Sequence, residues 1–259
     1  MTAKATLSAV LIVRNEAAVL RDCLESVRWA DEIVVLDSGS SDATLAIARE
    51  YTDRTYIEED WQGYGVQRQR AQAKATSDWV LMIDADERVT AELKQSIQAV
   101  LRENNQTRAY ALPILPWCFG RFIRHSGWYP AYKVRLYPRN KAQYGSQRVH
   151  EKLSFAPEIQ TVRLKGDLLH FTYRDVEHYL VKSARYAAEW AEQRYAAGRK
   201  ASLWQGGVHA AGCFLKMYLL RAGFLDGRQG LLLALLSAHS TFVKYAELWR
   251  RYQPPPPAL

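Results

Sequence analysis

Three apolar runs near the start of the chain each end in a crowd of polar side chains, and segments of helical length separate them. Leu7 to Val13 runs into Arg14-Asn15-Glu16, Glu32 to Leu36 into Asp37-Ser38-Gly39-Ser40-Ser41-Asp42, and Val80-Leu81-Met82-Ile83 into Asp84-Ala85-Asp86-Glu87. Between the first two, Ala17 to Trp29 carries Ala17, Leu20, Leu24 and Val27 at helical spacing. Ala43 to Tyr51 follows suit, with Ser41 or Asp42 placed to cap it. Strands alternating with such helices predict right-handed parallel crossovers in an α/β sheet. Ligands of these sheets lie beyond the carboxyl ends of the strands, where all three polar clusters fall, so one nucleotide-sized site is expected there. Side chains two apart on a strand point the same way, so Asp84 and Asp86 are expected to converge on one cation. A hard divalent ion, magnesium or manganese, suits such carboxylates together with substrate phosphates.

The chain of 259 residues has room for one substantial core and an appendage, and its net charge of +8 favours an anionic partner. Cys23, Cys118 and Cys213 are scattered without metal-ligand spacing, which predicts neither a disulfide framework nor a zinc site and fits a reducing compartment. The opening residues lead directly into a core strand rather than a secretory signal, so a cytoplasmic location is expected. No run approaches the roughly 20 apolar residues of a membrane span. The nearest, Leu231 to Leu236, is bracketed by Gln229 and His239.

Further along, Thr90 to Leu101 reads as an amphipathic helix capped by Thr90, and Ala109 to Ile114 as a strand broken by Pro113 and Pro116. The aromatic segment Trp117 to Tyr132 suits either a loop that touches ligand or a local core. Lys133 to Tyr137 alternates like a strand with one polar face, and Leu168 to Phe171 is another short strand. From Asp175 the pattern turns helical: Val176 to Tyr195, Val208 to Ala222 and Leu231 to Tyr252, with breaks at Gly206-Gly207 and Gly223 to Gly230. Lys216, Arg221, Lys244, Arg250 and Arg251 stud the last two. Such helices suit the plane of a membrane interface, or a packed subdomain or self-association surface. The expected division is a catalytic domain over 1–174, a helical region over 175–253 and a proline-rich tail over 254–259.

In order along the chain, Val13-Arg14-Asn15-Glu16, Val35 to Asp42, Met82 to Glu87, Val149-His150-Glu151-Lys152 and Leu169-His170-Phe171 resemble the inverting glycosyltransferases of family 2, of the GT-A class. Among these the likeness is to bacterial lipopolysaccharide-core β-1,4-glucosyltransferases. The resemblance implies a Rossmann-like, mainly parallel sheet flanked by helices, with a C-terminal α-helical appendage. It implies a UDP-sugar donor, with Val13, Arg14, Glu16 and Asp37 around ribose and base and Asp84 near the ribose. Asp86 would hold a Mn2+ or Mg2+ ion, with His170 as a further ligand that favours manganese. Gln67 and Arg70 lie in Tyr64 to Arg70, a helix-like segment that flanks the donor in similar enzymes, and Arg135 and Arg139 are candidates for donor or acceptor phosphate. Glu151 would be the base that takes the acceptor's proton, although the family more often carries Glu-Asp where this chain has His150-Glu151-Lys152.

These readings converge on transfer of a hexose from UDP-glucose to a lipid-linked acceptor, the lipopolysaccharide inner core, at the inner face of the cytoplasmic membrane. A polyprenyl phosphate or another surface glycan is the alternative acceptor, and self-association stays open. Nucleotidyl transfer would call for a glycine-rich, lysine-bearing phosphate loop, which the sequence lacks. A nucleic-acid-binding module would leave the carboxylate clusters without a purpose.

Overall fold

The structure, a computed structural model, describes residues 5–145 and 153–254. It divides into two compact units, Met1–Ile114 with Ala131–His170 and Leu115–Pro130 with Phe171–Leu259.

The first unit begins β1 (Leu7–Val13), α1 (Ala17–Val27), β2 (Glu32–Asp37), α2 (Thr44–Arg49), β3 (Thr55–Ile57). Helix α1 buries Leu20, Cys23, Leu24 and Val27, the face its spacing predicts. There follow α3 (Tyr64–Lys74), β4 (Trp79–Met82), β5 (Glu87–Val89) and α4 (Ala91–Glu103). Thr90 caps α4 by accepting from Leu93 N, and Asn104 ends it in the left-handed region at φ 49°. The chain then runs through β6 (Arg108–Cys118), β7 (Arg121–Phe122), β8 (Ala131–Pro138), β9 (Ala142–Tyr144), β10 (Leu153–Phe155), β11 (Gln160–Arg163) and β12 (Leu168–Tyr173).

The main sheet has the order β3-β2-β1-β4-β8-β6-β12-β5. Strands β1, β2, β3 and β4 are mutually parallel neighbours, whereas β8 runs antiparallel to both β4 and β6. This is an α/β sheet whose parallel strands are flanked by helices, as expected from the sequence, and its antiparallel strands make it mixed. Alternation along the strands divides the core between two faces. Leu7, Leu11, Trp79 and Leu81 join one buried cluster with α1 and α4, while Val10, Val80 and Met82 join the other with Ala71 of α3.

Pro113 and Pro116 do not end the strand, which continues as β6 to Cys118. Proline removes only a donor, and the Pro116 carbonyl still accepts from Ile123 N at 2.8 Å. Both β6 and β12 pass from one unit to the other, so the chain crosses the boundary in more places than the single break expected after residue 174.

In the second unit Trp117 packs on Phe171, and Phe119 and Trp128 pack on Tyr173, with Cys118 and Ile123 buried alongside. The aromatic segment is thus part of a local core. Helix α5 (Val176–Ala196) is capped by Asp175, and α6 (Leu203–Leu215) by a capping box between Ser202 and Gln205. A wider turn over Lys216–Leu220 and a tight one over Gly223–Asp226 lead to α7 (Gly227–Arg250). Gly206 and Gly207 therefore lie inside a helix rather than breaking it. At Gly206 an added Cβ would sit 3.0 Å from Tyr245 Cβ and 3.2 Å from Phe242, so glycine is what lets α6 approach α7. Among the described residues no helix is long and apolar enough to cross a membrane.

Candidate active site at the carboxyl ends of the parallel strands

The first unit gathers its polar strand ends through the backbone. Val13 O accepts from Ser38 N at 2.9 Å, tying the end of β1 to the end of β2. Asn15, at φ 55°, donates its N–H to Ser40 Oγ, while its side-chain oxygen accepts from Ser41 N, both at 2.8 Å. Glu16 N donates to Thr44 Oγ1 at 2.8 Å. Val13 is buried, Arg14 is exposed and Glu16 is half-buried. Asp37 is buried and accepts from Gly39 N, Ser40 N and the Ser40 hydroxyl.

Helix α3 braces this end. Gln67 is fully buried, and its amide nitrogen donates to Ser38 Oγ and Glu58 O, both at 2.9 Å. Its oxygen accepts from Arg70, which also pairs with Asp60 at 2.9 Å and Glu58 at 3.7 Å. Gln67 spends both N–H donors on protein and holds the β2 end in place. Arg70 lies on the rim.

At the end of β4 the two aspartates part company. Each carboxylate has its own partners, and those of Asp84 are two guanidiniums. Asp84 Oδ1 accepts from Arg68 at 2.7 Å and its Oδ2 from Arg135 at 2.6 Å, and Arg135 also donates to Glu87 at 2.7 Å. Arg68, Arg135 and Glu87 are all buried. Glu87 accepts from Asp84 N at 2.9 Å, which closes the loop on itself. Burial by itself would raise the Asp84 carboxyl, but the guanidiniums of Arg135 and Arg68, with their hydrogen bonds, hold it well below the ordinary carboxylate range. Glu87 goes the other way, pushed up by burial although Arg135 opposes it. Beneath the loop, Cys23 donates its thiol to Asp84 O at 3.3 Å, and burial pushes that thiol far above its usual range.

Asp86, partly exposed, instead meets His170, whose Nε2 lies 3.2 Å from Asp86 Oδ2. The antiparallel pairing of β5 with β12 sets His170 opposite Glu87 and so brings a histidine 84 residues away to the acidic loop.

The register of β8 separates the two candidate phosphate ligands. Leu81 pairs with Leu136 and Trp79 with Pro138, so β8 runs away from the acidic loop as its numbers rise. Arg135 therefore reaches Asp84. Arg139 lies at the opposite end of β4, where its N–H donates to Asp78 O and its Nε to Ser77 O. Arg139 is thus placed away from the acidic loop, whereas Arg135 is enclosed between the carboxylates of Asp84 and Glu87. Glu151 lies outside the described residues. Sequence reasoning missed Arg68 and the anchoring role of Glu87, since their partners are tertiary; the only hint was the cationic run of α3.

The profile of Glycosyl transferase family 2 matches residues 8–156. The lipopolysaccharide core biosynthesis glycosyltransferase LpsC of Rhizobium meliloti is 29% identical over 257 residues, with 97% of this chain and 95% of that protein covered. An uncharacterised glycosyltransferase of Rickettsia prowazekii is 28% identical over 253 residues, covering 93% and 86%. Among solved structures, the glucosyl-3-phosphoglycerate synthase of Mycobacterium tuberculosis, in complex with Mn2+, UDP and glucosyl-3-phosphoglycerate, is 25% identical, with a TM-score of 0.37 and 46% of each chain covered.

Proposed function

The chain belongs to glycosyl transferase family 2, and from that premise we propose a metal-dependent, inverting transfer of glucose from UDP-glucose to a lipid-linked acceptor, the inner core of lipopolysaccharide. The observation that carries the reading is the meeting of Asp86 and His170 at 3.2 Å, next to an ionised Asp84, where nucleotides bind in α/β sheets. The acceptor is supported by the end-to-end similarity to LpsC and by the net charge of +8, which suits a phosphorylated glycolipid at the cytoplasmic membrane face.

Asp86 and His170 fit a divalent cation. They offer a carboxylate and an imidazole from two elements, a pairing that favours manganese over magnesium. When bound, the cation would offset the charge that develops on the departing diphosphate.

The chain's own residues supply the rest. Asp84, kept ionised by Arg68 and Arg135, accepts from a ribose hydroxyl. Glu16 and Asp37 accept from ribose and base, with Val13 and Arg14 beside them, and Gln67 and Arg70 keep the β2 end and its rim in place. Glu151 takes the proton of the acceptor hydroxyl as its oxygen bonds to the anomeric carbon. The bond from that carbon to the diphosphate oxygen breaks on the opposite face, and the configuration inverts.

A donor screen that measures release of nucleoside diphosphate with purified lipopolysaccharide acceptor tests the proposal. UDP-glucose is expected to give the highest turnover, and Glu151→Gln to lose about 10²- to 10⁴-fold in transfer while keeping UDP affinity. A proportionate loss of UDP binding would place Glu151 in the donor site or the fold instead.

A further inference from the structure

The second unit exposes apolar side chains on one line. Along α6 and the wider turn that follows, Trp204, Val208, Leu215 and Leu219 recur at helical spacing, and they are 80%, 52%, 50% and 52% exposed. The opposite face, with Gly206 and Met217, is the one that packs inward. Beyond Leu219 the line continues over the tip between α6 and α7, where Leu220 is 81% exposed and Phe224 and Leu225 about half. An exposed apolar stripe of this length needs a partner.

Charge identifies the partner. From Gln193 to Ala246 the sequence holds seven lysines and arginines and a single acid, Asp226. Asp226 is buried and accepts from Arg124 N, His125 N and His125 Nδ1, so it offers nothing to an outside cation. The same contacts anchor the tip, as does Ser126 N donating to Arg221 O at 2.9 Å. Arg199 precedes the stripe and Lys216 stands beside Leu215 within its length, and both are exposed. An apolar line bordered by cations without exposed acids is complementary to an anionic bilayer surface, with Trp204 suited to the headgroup level.

We propose that α6 and the tip after it lie in the membrane interface, with the apolar line that starts at Trp204 sunk into the acyl boundary and Arg199 and Lys216 at anionic headgroups. The proposal rests on the lipid-linked acceptor of the preceding section and assigns contact with the membrane that carries it to this stripe. A second copy of the chain is the competing occupant, and the glycines discriminate. An added Cβ at Gly207 or Gly212 meets nothing within 4 Å, so these positions are open. A helix of a second copy would use them for close approach and lose contact when they are filled, whereas lipid would gain.

The test is sedimentation of the full chain with vesicles of phosphatidylcholine and phosphatidylglycerol, beside light scattering for oligomeric state and transfer to a short soluble acceptor. Leu219→Glu with Leu220→Glu is expected to weaken vesicle binding by roughly 100-fold. Arg199→Glu with Lys216→Glu should weaken it by about 30-fold, and only with anionic vesicles. Gly207→Leu should strengthen it. Transfer to the soluble acceptor should persist in all three, which keeps a failure of the donor site distinct from a failure of the interface. Unchanged vesicle binding in the leucine pair, or a dimer that both the leucine pair and Gly207→Leu dissolve, would overturn the proposal.

Discussion

In the first unit four charged side chains, Arg68, Asp84, Arg135 and Glu87, are drawn inward and paired with one another, whereas in the second Trp204 and Leu220, both large and apolar, stand four-fifths exposed. Neither arrangement is what stability alone would choose. A buried ion lattice carries a desolvation cost that well-packed hydrophobic residues would avoid, and an exposed tryptophan forgoes its burial. Departures of both kinds are expected where function overrides folding, and here they differ in sign. The first unit invests in a fixed electrostatic environment for Asp84 and Asp86; the second keeps surface available for something outside the chain.

The largest effect expected of breaking the first arrangement is on stability. Arg135→Met removes the cation shared by Asp84 and Glu87 and should cost about 3–5 kcal/mol in urea unfolding. If the loss were below about 1 kcal/mol, Arg135 would be a ligand residue and not the linchpin of the loop. Next comes a matched pair across the two units. Trp79, fully buried with its Nε1 donating to Asn104 at 3.0 Å, should lose about 3–4 kcal/mol as Trp79→Ala. Trp204→Ala should stay within about 0.5 kcal/mol of the parent. Equal costs would mean that Trp204 is covered in solution by the chain itself.

The smallest effect is a pH dependence. Asp84 titrates lower folded than unfolded, so its contribution is full above the ordinary aspartate range near pH 4 and is lost as pH falls below it. Glu87, raised in the fold, contributes in the opposite sense, so protonation of that group favours the folded state as pH falls. Asp84→Asn removes only the first term. Melting temperatures measured from pH 6 down to pH 3 should therefore fall less steeply for Asp84→Asn than for the parent. Parallel curves would show that Asp84 is not held ionised.

The parallel core was legible because each buried run ends abruptly in carboxylates, so strand direction and site edge are written in the same few residues. Helix α3 was legible as a helix, but not as the source of Arg68, since that pairing with Asp84 depends on how helix and strand pack. The link between Asp86 and His170 depends on β5, three residues long and hidden within an acidic loop, so spacing could not give it and the motif resemblance did. Pro116 and Gly206 misled for a common reason. Each is a local breaker that the tertiary structure accommodates: the Pro116 carbonyl still accepts from Ile123 N in the strand, and Gly206 allows α6 its close approach to α7.

The central claim is that Asp86 and His170 hold a cation against the diphosphate of a nucleotide. Isothermal calorimetry of UDP binding, with and without Mn2+, tests it most directly for the parent, Asp86→Ala and His170→Ala. The account predicts that Mn2+ strengthens UDP binding to the parent by at least about tenfold and that Asp86→Ala abolishes this gain, with His170→Ala reducing it. UDP binding that ignores Mn2+ in the parent, or a gain that survives Asp86→Ala, would contradict it.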